Sequence, residues 1–194
     1  KDKFSHGTDD AKRLFTKYAS GDSIENAVYE NTAHYNTKTK KISMNYGADL
    51  KNPRGAGATW FHEHGHLVDD LAGNLSDDKN FIQLLESDSL SYRIAYGKAH
   101  HLGTFDKVDK AISEELGDMR KDSAISDLFD GVTQGNIIGC ASHPKEYWKN
   151  RDNVTSEAFA HMFEAQFDKE RYEQMKKYFP NALEYFEKKM KEAL

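Results

Sequence analysis

The residues of this chain best suited to chemistry are two histidines and a glutamate in the segment FHEHGHLVDDL. His62, Glu63 and His66 fill the pattern H-E-x-x-H. On an α-helix, residues four apart lie one turn above each other, so both imidazoles can bind one metal ion. Glu63 is adjacent and is placed to accept a proton from a water molecule that the metal activates. The pattern therefore predicts a zinc site of the kind used by hydrolytic enzymes.

These residues belong to a helix predicted from about Thr59 to Gly73. One side of this helix carries an apolar stripe made by Phe61, Val68 and Ala72. Gly65 lies in the middle of the stripe, where the missing side chain allows close backbone packing despite the cost of glycine in a helix. We expect this side to face the core.

Two carboxylates follow the histidines on the opposite side of the predicted helix. Asp69 and Asp70 lie about one turn beyond His66. A carboxylate there can accept a hydrogen bond from a ring nitrogen and fix its tautomer, and a solvated surface acid is the alternative. His64 points away from this side and is predicted to be structural or exposed to solvent.

Composition and charge restrict the class of protein. A length of 194 residues fits one domain, 1–194, with an N-terminal lobe of about 1–75 and a helical C-terminal lobe of about 76–194. Its 11 Phe and 10 Tyr predict a folded chain. A net charge of -5 without a basic face predicts no nucleic-acid partner, and no apolar run is long enough to predict a membrane segment.

The single cysteine and the chain start bear on localisation. Cys140 alone excludes an internal disulfide, which fits a reducing compartment and equally a secreted bacterial enzyme without disulfides. The chain begins at Lys1 without Met, as a mature form or an excised piece of a longer protein would. We expect a soluble protein of the bacterial cytoplasm, associated with a phage, or secreted.

A small sheet is predicted ahead of the metal helix. After a helix over Thr8–Ser20 with Thr8 as its N-cap, β-forming stretches follow at Ala27–Tyr29, Ala33–Tyr35 and Ile42–Met44. The last two are expected to form a hairpin. The segment Ile42–Tyr46 is predicted either to line the cleft and accept the substrate as an extra strand or to be an ordinary half-buried strand. Asn52–Ala58 is predicted to be a plain loop.

The rest of the chain is predicted to be mostly helical, which makes the fold class α+β and predominantly helical. Helices are predicted over Asp77–Glu86, Asp88–His100, Lys107–Leu116, Ser123–Phe129, Thr155–Phe167, Lys169–Tyr178 and Asn181–Lys191. A glycine-bearing loop is predicted over Asp130–Gly139. The C-terminal helices are expected to close a cleft over the metal helix.

A catalytic zinc site needs a third protein ligand. The form H-E-x-x-H-x-x-G-x-x-H fails, because Asp69 and Ala72 stand at its glycine and its last histidine. Downstream acids that could serve are Glu86, Glu114 and Glu115. The segment VTSEAFAHMFEAQF predicts an apolar helix, capped by Thr155 or Ser156, on which one polar stripe is formed by Glu157, His161 and Glu164. A polar stripe on so apolar a helix needs a polar partner, which a metal ion would supply.

The same segments resemble a known family. HEHGHLVDDLAGNLSDDKNF (62–81) and SEAFAHMF (156–163) are similar to the gluzincin-type zinc metallopeptidases of the anthrax lethal factor catalytic-domain family. In that family a glutamate opening a helix of the form E-x-F-A-x-x-F is the third zinc ligand. The resemblance implies a zincin-like fold with Glu157 as that ligand, and it places His161 where the family often has an acid beside the ligands. The chain is also similar to zincin domains of phage head-associated and mobile-element proteins, which implies a piece of such a larger protein.

The resemblance also bears on the donor that stabilises the oxyanion in peptide hydrolysis. It places this donor just before the glutamate helix, where ASHPKEYW (141–148) offers His143 and Tyr147. These residues are four apart and could face the same cleft, and a packing role is the alternative.

A second resemblance concerns AISDLF (124–129). It is similar to the helix of thermolysin-like enzymes that carries their third ligand, but Ser123 occupies the ligand's place. Asp127 is the remaining acid of this segment. Asp127 remains a candidate partner of His62 or His66, and a surface acid is the alternative that the sequence favours.

Together these residues predict a zinc-dependent, gluzincin-like endopeptidase. His62, His66 and Glu157 would hold Zn²⁺, and Glu63 would act as the base in hydrolysis of a peptide or protein. Toxin, host-lysis and self-processing roles would share these residues. The alternatives are a phage-derived zincin-like domain whose metal has a structural or docking role, and a chance H-E-x-x-H in a helical interaction module.

Overall fold

The computed structural model describes residues 2–19, 24–27 and 32–194, and its fold is α+β and mostly helical. In chain order the elements are α1 (Asp2–His6), α2 (Asp9–Tyr18), β1 (Ile24–Asn26), β2 (His34–Asn36), β3 (Lys41–Met44), α3 (Tyr46–Asp49), α4 (Ala58–Leu71), α5 (Lys79–Ala99), α6 (Phe105–Glu115), α7 (Met119–Thr133), α8 (Arg151–Ala165), α9 (Lys169–Tyr178) and α10 (Pro180–Glu192). Among the described helices, none has both the length and the apolar composition needed to cross a bilayer.

The described strands form one small sheet in the order β1-β3-β2. β2 and β3 are the predicted hairpin, with Tyr35 opposite Ile42. β1 pairs with β3 in parallel, with Ile24 opposite Ile42. The prediction of a strand at Ala27–Tyr29 was wrong at Ala27, which follows β1, whereas Val28 and Tyr29 lie outside the described residues.

The position of β3 decides between the two alternatives for Ile42–Tyr46 in favour of an ordinary half-buried strand. β3 is hydrogen-bonded on both sides, by β1 and by β2. Its backbone groups are therefore not free to pair with a substrate strand. β2 has a partner on one side only among the described strands, and this strand borders the cleft next to α4.

The contact that positions the site is the close packing of α4 against α8. A Cβ on Gly65 would lie 2.6 Å from Cα and 3.0 Å from the carbonyl oxygen of Ala160. Real Cβ atoms do not approach backbone atoms so closely, so only glycine permits this helix separation. The predicted packing role of Gly65 is therefore confirmed. Beside it, the rings of Phe61 and Phe167 stack with centroids 4.1 Å apart.

The structure has one helix, α5, where the sequence predicts two separated near Asp88. The carboxylate of Asp88 is buried and accepts hydrogen bonds from the backbone N–H groups of Asn181 and Ala182, each at 2.9 Å. Asp88 therefore stabilises the first turn of α10 across the fold. From its neighbouring residues alone, an aspartate that caps a distant helix looks the same as one that begins its own helix.

The bounds of α7 and α8 also differ from the predictions. α7 continues to Thr133, through the first part of the predicted loop 130–139. α8 begins at Arg151 and its cap is Asn150, whose side chain accepts from the backbone N–H of Asp152. The prediction of a cap at Thr155 or Ser156 was wrong, and Ser156 lies inside α8.

Candidate metal centre

Two turns of α4 carry the histidines of the HEHGH segment. His62 and His66 project from one side of α4, with ring centroids 4.9 Å apart. Their Nε2 atoms face one oxygen, Oε2 of Glu157, at 3.2 Å from His62 and 3.6 Å from His66. The three side chains form a largely buried grouping whose ligand atoms lie close enough together to hold one metal ion.

Glu157 reaches the histidines because α8 lies directly against α4. The other acids considered from the sequence have partners elsewhere. Glu86 pairs with Arg151, Glu114 pairs with Lys110, and Glu115 accepts the hydroxyl of Tyr96. Of the four candidate acids, the structure brings only Glu157 to the histidines.

These side chains fit a divalent metal ion. Glu157 Oε2 is buried and accepts no hydrogen bond, although buried carboxylate oxygens ordinarily have a partner. Burial favours the neutral carboxyl, but the adjacent rings of His66 and His62 hold the pKa of Glu157 well below its usual range. The carboxylate is therefore in the ionised form that binds metals, and two imidazoles with one carboxylate are a donor set that suits zinc.

The two histidines have different electrostatic surroundings. Burial, together with His161, lowers the pKa of His62 to about 3. Burial also disfavours the charged form of His66, but Glu157 and Glu63 outweigh it and raise the pKa of His66 to about 9. In the metal-free protein His66 supplies the positive charge between these carboxylates, which is the place that a metal cation would take.

Glu63 lies beside the histidines without being part of a ligand grouping. Among the described residues, none of the three buried groupings able to hold a metal includes Glu63. Its side chain is buried, and burial raises the pKa of its carboxyl group. The backbone N–H of Tyr35 donates a hydrogen bond to it. A carboxyl group with a raised pKa at the edge of a cleft is suited to accept and return a proton near neutral pH.

The other two groupings are His62 with His161 and Glu164, and Asp127 with Glu157 and His161. In the first, the Nη2 atom of Arg54 lies 2.6 Å from Glu164 Oε2 and 3.5 Å from His161 Nδ1, so a guanidinium supplies the cation. In the second, His161 Nε2 and Asp127 Oδ2 are hydrogen-bonded at 3.1 Å. Arg54 therefore occupies the first grouping, and a hydrogen bond joins two ligands of the second, so the grouping of His62, His66 and Glu157 is the best suited to a metal.

His143 and Tyr147 both reach this centre from the segment before α8. Their rings stack with centroids 4.5 Å apart. The hydroxyl of Tyr147 donates to Glu157 Oε1 at 2.7 Å, and His143 Nε2 lies 3.9 Å from the same oxygen. Burial and the Glu157 carboxylate raise the pKa of Tyr147, which keeps its hydroxyl protonated. Both side chains can therefore present a donor to the cleft.

Asp127 lies close to the centre but has other partners than predicted. One oxygen is 2.7 Å from His143 Nδ1 and the other is 3.1 Å from His161 Nε2. Although burial favours its neutral form, the hydrogen bonds from His143 and His161 lower the pKa of Asp127. The predicted pairing with His62 or His66 was wrong. α7 places Asp127 against His143 and His161 instead.

The hydrogen bonds of Asp69 and Asp70 also differ from the prediction. Asp69 accepts from the backbone N–H of Ser76 at 2.7 Å and from its hydroxyl at 2.5 Å. Asp70 accepts from the hydroxyl of Tyr35 and from Lys40 Nζ, each at 2.6 Å. Asp69 therefore stabilises the turn that follows α4, and Asp70 connects α4 to the β2–β3 hairpin. Neither carboxylate accepts a hydrogen bond from a ring nitrogen of His62 or His66.

Several side chains around the centre were missed in the sequence. The hydroxyl of Ser156 lies 3.1 Å from His66 Nδ1, on the ring edge opposite Nε2. Arg54, from the loop predicted to be a plain connection, reaches His161 and Glu164. His64 is fully buried against Trp60 and Phe15, in agreement with a structural role. Ser156 directly precedes Glu157, so its contact with a candidate ligand could have been predicted from the sequence. No neighbouring residue indicates that Arg54 reaches this centre.

The centre opens into a polar cleft of about 370 Å³. Its walls come from β2, from α4, from the segment before α8 and from α8 itself; they include Tyr35, Glu63, His66, Asp70, His143 and Tyr147. The ligand grouping is therefore reached from one side by solvent or by a bound molecule. No protein-family model, curated protein or solved structure matches this chain.

Proposed function

We propose that this protein is a zinc-dependent metallopeptidase of the zincin type. The observation that carries the proposal is the approach of His62 Nε2 and His66 Nε2 to one free oxygen of Glu157, with Glu63 beside them at the edge of an open cleft. Three protein ligands with an accessible fourth position are typical of catalytic zinc, whereas structural zinc sites are closed by four protein ligands.

The residues have separate tasks in peptide hydrolysis. Zinc, when bound by His62, His66 and Glu157, would polarise the substrate carbonyl and lower the pKa of a water molecule from near 16 to about 7. Glu63 accepts a proton from the attacking water as the water oxygen bonds to the carbonyl carbon. Glu63 then gives this proton to the amide nitrogen, and the carbon–nitrogen bond breaks to release the amine.

Tyr147 and His143 are the candidate donors to the oxyanion. In the structure the Tyr147 hydroxyl bonds to Glu157 Oε1, the oxygen that does not face the histidines. A small rotation of the phenol would turn this hydroxyl toward a carbonyl oxygen in the cleft. Asp127 accepts a hydrogen bond from His143 Nδ1 and, against burial, raises the pKa of His143. The charged ring then also carries a proton on Nε2, which it can donate into the cleft. A donor of this kind typically contributes about 100- to 1000-fold to the rate.

β2 is the part of the chain best placed to hold an extended peptide. It is an edge strand among the described strands, and its residues His34 and Tyr35 line the cleft. A peptide could add to this edge through backbone hydrogen bonds. The substrate would then be a peptide or an unstructured segment of a protein, and the zincin domain itself a part of a phage, mobile-element or toxin protein.

The test compares wild type with Glu63→Gln. We expect purified wild type to contain about one zinc ion per chain and to cleave an unstructured protein such as casein, with cleavage abolished by a chelator and restored by zinc. Glu63→Gln should retain zinc and lose cleavage, because the amide cannot accept the proton. Wild type that binds no zinc, or a Glu63→Gln protein that cleaves as wild type does, would overturn the proposal.

A second candidate is a zincin-like domain whose metal has a structural or docking role. It is favoured by the hydrogen bonds of Glu63 to Tyr35 N–H and of Tyr147 to Glu157, which engage both the base and the donor within the protein. Zinc that raises the unfolding temperature of wild type and of Glu63→Gln, without cleavage of any peptide from a combinatorial library, would support this role.

A further inference from the structure

The side of His62 that faces away from the predicted metal position has no hydrogen-bond partner. If His62 binds a metal ion through Nε2, the neutral ring carries its proton on Nδ1. His62 Nδ1 is buried and makes no hydrogen bond. A buried N–H without an acceptor is costly, and histidines that bind metals nearly always donate this proton to an oxygen.

Glu164 is the acid nearest to this nitrogen. Its Oε2 atom lies 3.8 Å from His62 Nδ1, too far for a hydrogen bond in the metal-free structure but within reach of a small ring movement. The carboxylate is almost completely buried on the side of α8 that faces α4. Two turns of α8 separate Glu164 from Glu157, so one helix would supply both a ligand and the support for another ligand.

The neighbouring ring of His161 faces the same carboxylate but has an acid of its own. Its Nδ1 lies 3.6 Å from Glu164 Oε2 and 3.5 Å from Arg54 Nη2, and its Nε2 lies within hydrogen-bond distance of Asp127 Oδ2, at 3.1 Å. Asp127 therefore holds the His161 ring from the other side, whereas Glu164 is the acid within reach of His62 Nδ1.

Two arginines keep the Glu164 carboxylate ionised and fixed. Arg54 Nη2 lies 2.6 Å from Oε2, and Arg171 Nε lies 3.3 Å from Oε1. Although burial opposes ionisation, Arg54 and Arg171 hold the pKa of Glu164 far below its usual range. Arg171 also donates to the backbone carbonyl of Arg54, so the loop before α4 is tied into the same cluster.

We infer that Glu164, fixed by Arg54 and Arg171, is the positioning residue that accepts the Nδ1 proton of His62 and orients this ring for a metal ion. This inference rests on the metal site of the proposed function and assigns a role to two residues outside it. Arg54 also supplies the cation of the grouping of His62 with His161 and Glu164, so that grouping is not expected to bind a metal ion of its own.

The test replaces Arg54 and Glu164 together, because Glu164→Met alone would leave two buried guanidinium groups without a carboxylate. Arg171 keeps its hydrogen bonds to the backbone carbonyls of Arg54 and Arg120 and to the hydroxyl of Ser123. The variant is Arg54→Met combined with Glu164→Met.

The matched control is Arg93→Met combined with Asp109→Met, which removes an ion pair between α5 and α6. The side chain of Arg93 is 16% exposed, close to the 17% of Arg54. Zinc affinity is measured by competition with a chelating dye.

We expect the Arg54/Glu164 variant to bind zinc about 10- to 100-fold more weakly than wild type, and the Arg93/Asp109 control to bind zinc as wild type does. Equal losses in both variants, or no loss in the first, would overturn the inference while leaving the proposed function intact. Wild type that binds no zinc would instead overturn the proposed function, and this inference with it.

A measurement on wild type covers the case in which the variant does not fold. In zinc-loaded protein labelled with ¹⁵N-histidine, we expect one metal-bound ring with a protonated Nδ1 whose proton exchanges slowly with water. The second metal-bound ring, His66, has a serine hydroxyl at Nδ1 and serves as an internal comparison. Rapid exchange of both Nδ1 protons would overturn the inference.

Discussion

The two faces of α4 differ in how their side chains are held. The seam face, defined by His62 and Gly65, packs against the backbone of α8, and its polar atoms meet a buried cluster. The cleft face, defined by Glu63 and Asp70, borders β2 and an open cavity. His62 therefore lies where the two helices are packed most tightly, whereas Glu63, the proposed proton acceptor, lies at the open cavity, which His66 and Glu157 also line.

Under the proposed function, this difference would separate metal binding from catalysis. Substitutions in the seam face should change metal affinity, because they act on the ligands or on the helix contact that brings the ligands together. Substitutions in the cleft face should leave the metal in place and change turnover. The predictions below test this separation.

The largest effect is expected for Glu157→Gln. The amide lacks the negative charge that balances the metal and binds it poorly, so zinc affinity should fall by more than about 100-fold, beyond the usual effect of residues behind the ligands. Competition with a chelating dye measures the affinity. Glu114→Gln is the matched control, since Glu114 was an alternative ligand and lies exposed beside Lys110. Tight zinc binding by Glu157→Gln would show that α8 does not supply the third ligand.

The next effect is expected for Tyr147→Phe on the cleft side. Loss of the hydroxyl removes the proposed oxyanion donor, so kcat at saturating zinc should fall by about 100-fold. Loss of the hydrogen bond to Glu157 Oε1 should weaken zinc binding by about tenfold at most, the lower end of the usual effect of such partners. Tyr172→Phe is the control, because Tyr172 also donates to a glutamate, at 2.8 Å, but on the far side of α9. An unchanged kcat for Tyr147→Phe would assign Tyr147 to packing and leave His143 as the donor.

The seam face was the more predictable of the two from the sequence. The helical spacing of His62 and His66, the glycine between them and the polar stripe of α8 are local patterns, and each has a single arrangement that buries the apolar residues. The class of fold, the hairpin and the close packing at Gly65 followed from such patterns and are confirmed.

Contacts between distant segments were not predictable in this way. Asp69, Asp70, Asp88 and Asp127 are all acids that local spacing assigns to caps, surfaces or ligands, and each one finds its partner in a different element. Which partner each acid finds depends on how whole helices pack against one another. The residues within one turn of a helix do not determine that packing. Arg54 is the clearest case, because its side chain leaves a loop to pair with Glu164, 110 residues away.

A smaller effect is expected for Gly65→Ala, which strains the contact between α4 and α8. The added methyl group would meet the backbone of Ala160 at 2.6 Å, so the helices must separate. Overpacking of this kind costs about 1–3 kcal/mol, which chemical denaturation of the metal-free protein measures. Zinc affinity should fall as well, because Glu157 moves away with α8. The control Gly117→Ala places its methyl group at an ordinary van der Waals distance, 3.8 Å from the carbonyl oxygen of Glu114, and should leave both quantities unchanged.

The smallest effect is expected for Tyr35→Phe in the cleft face. The substitution removes one hydrogen bond to Asp70, which keeps its ion pair with Lys40, so the cost should be about 0.5–1.5 kcal/mol. Zinc affinity should be unchanged, because Asp70 does not contact the metal histidines, and KM should rise by a few fold as β2 becomes less firmly held. A tenfold loss of zinc affinity would contradict the separation of the two faces, since it would mean that the Tyr35–Asp70 contact supports the ligands after all.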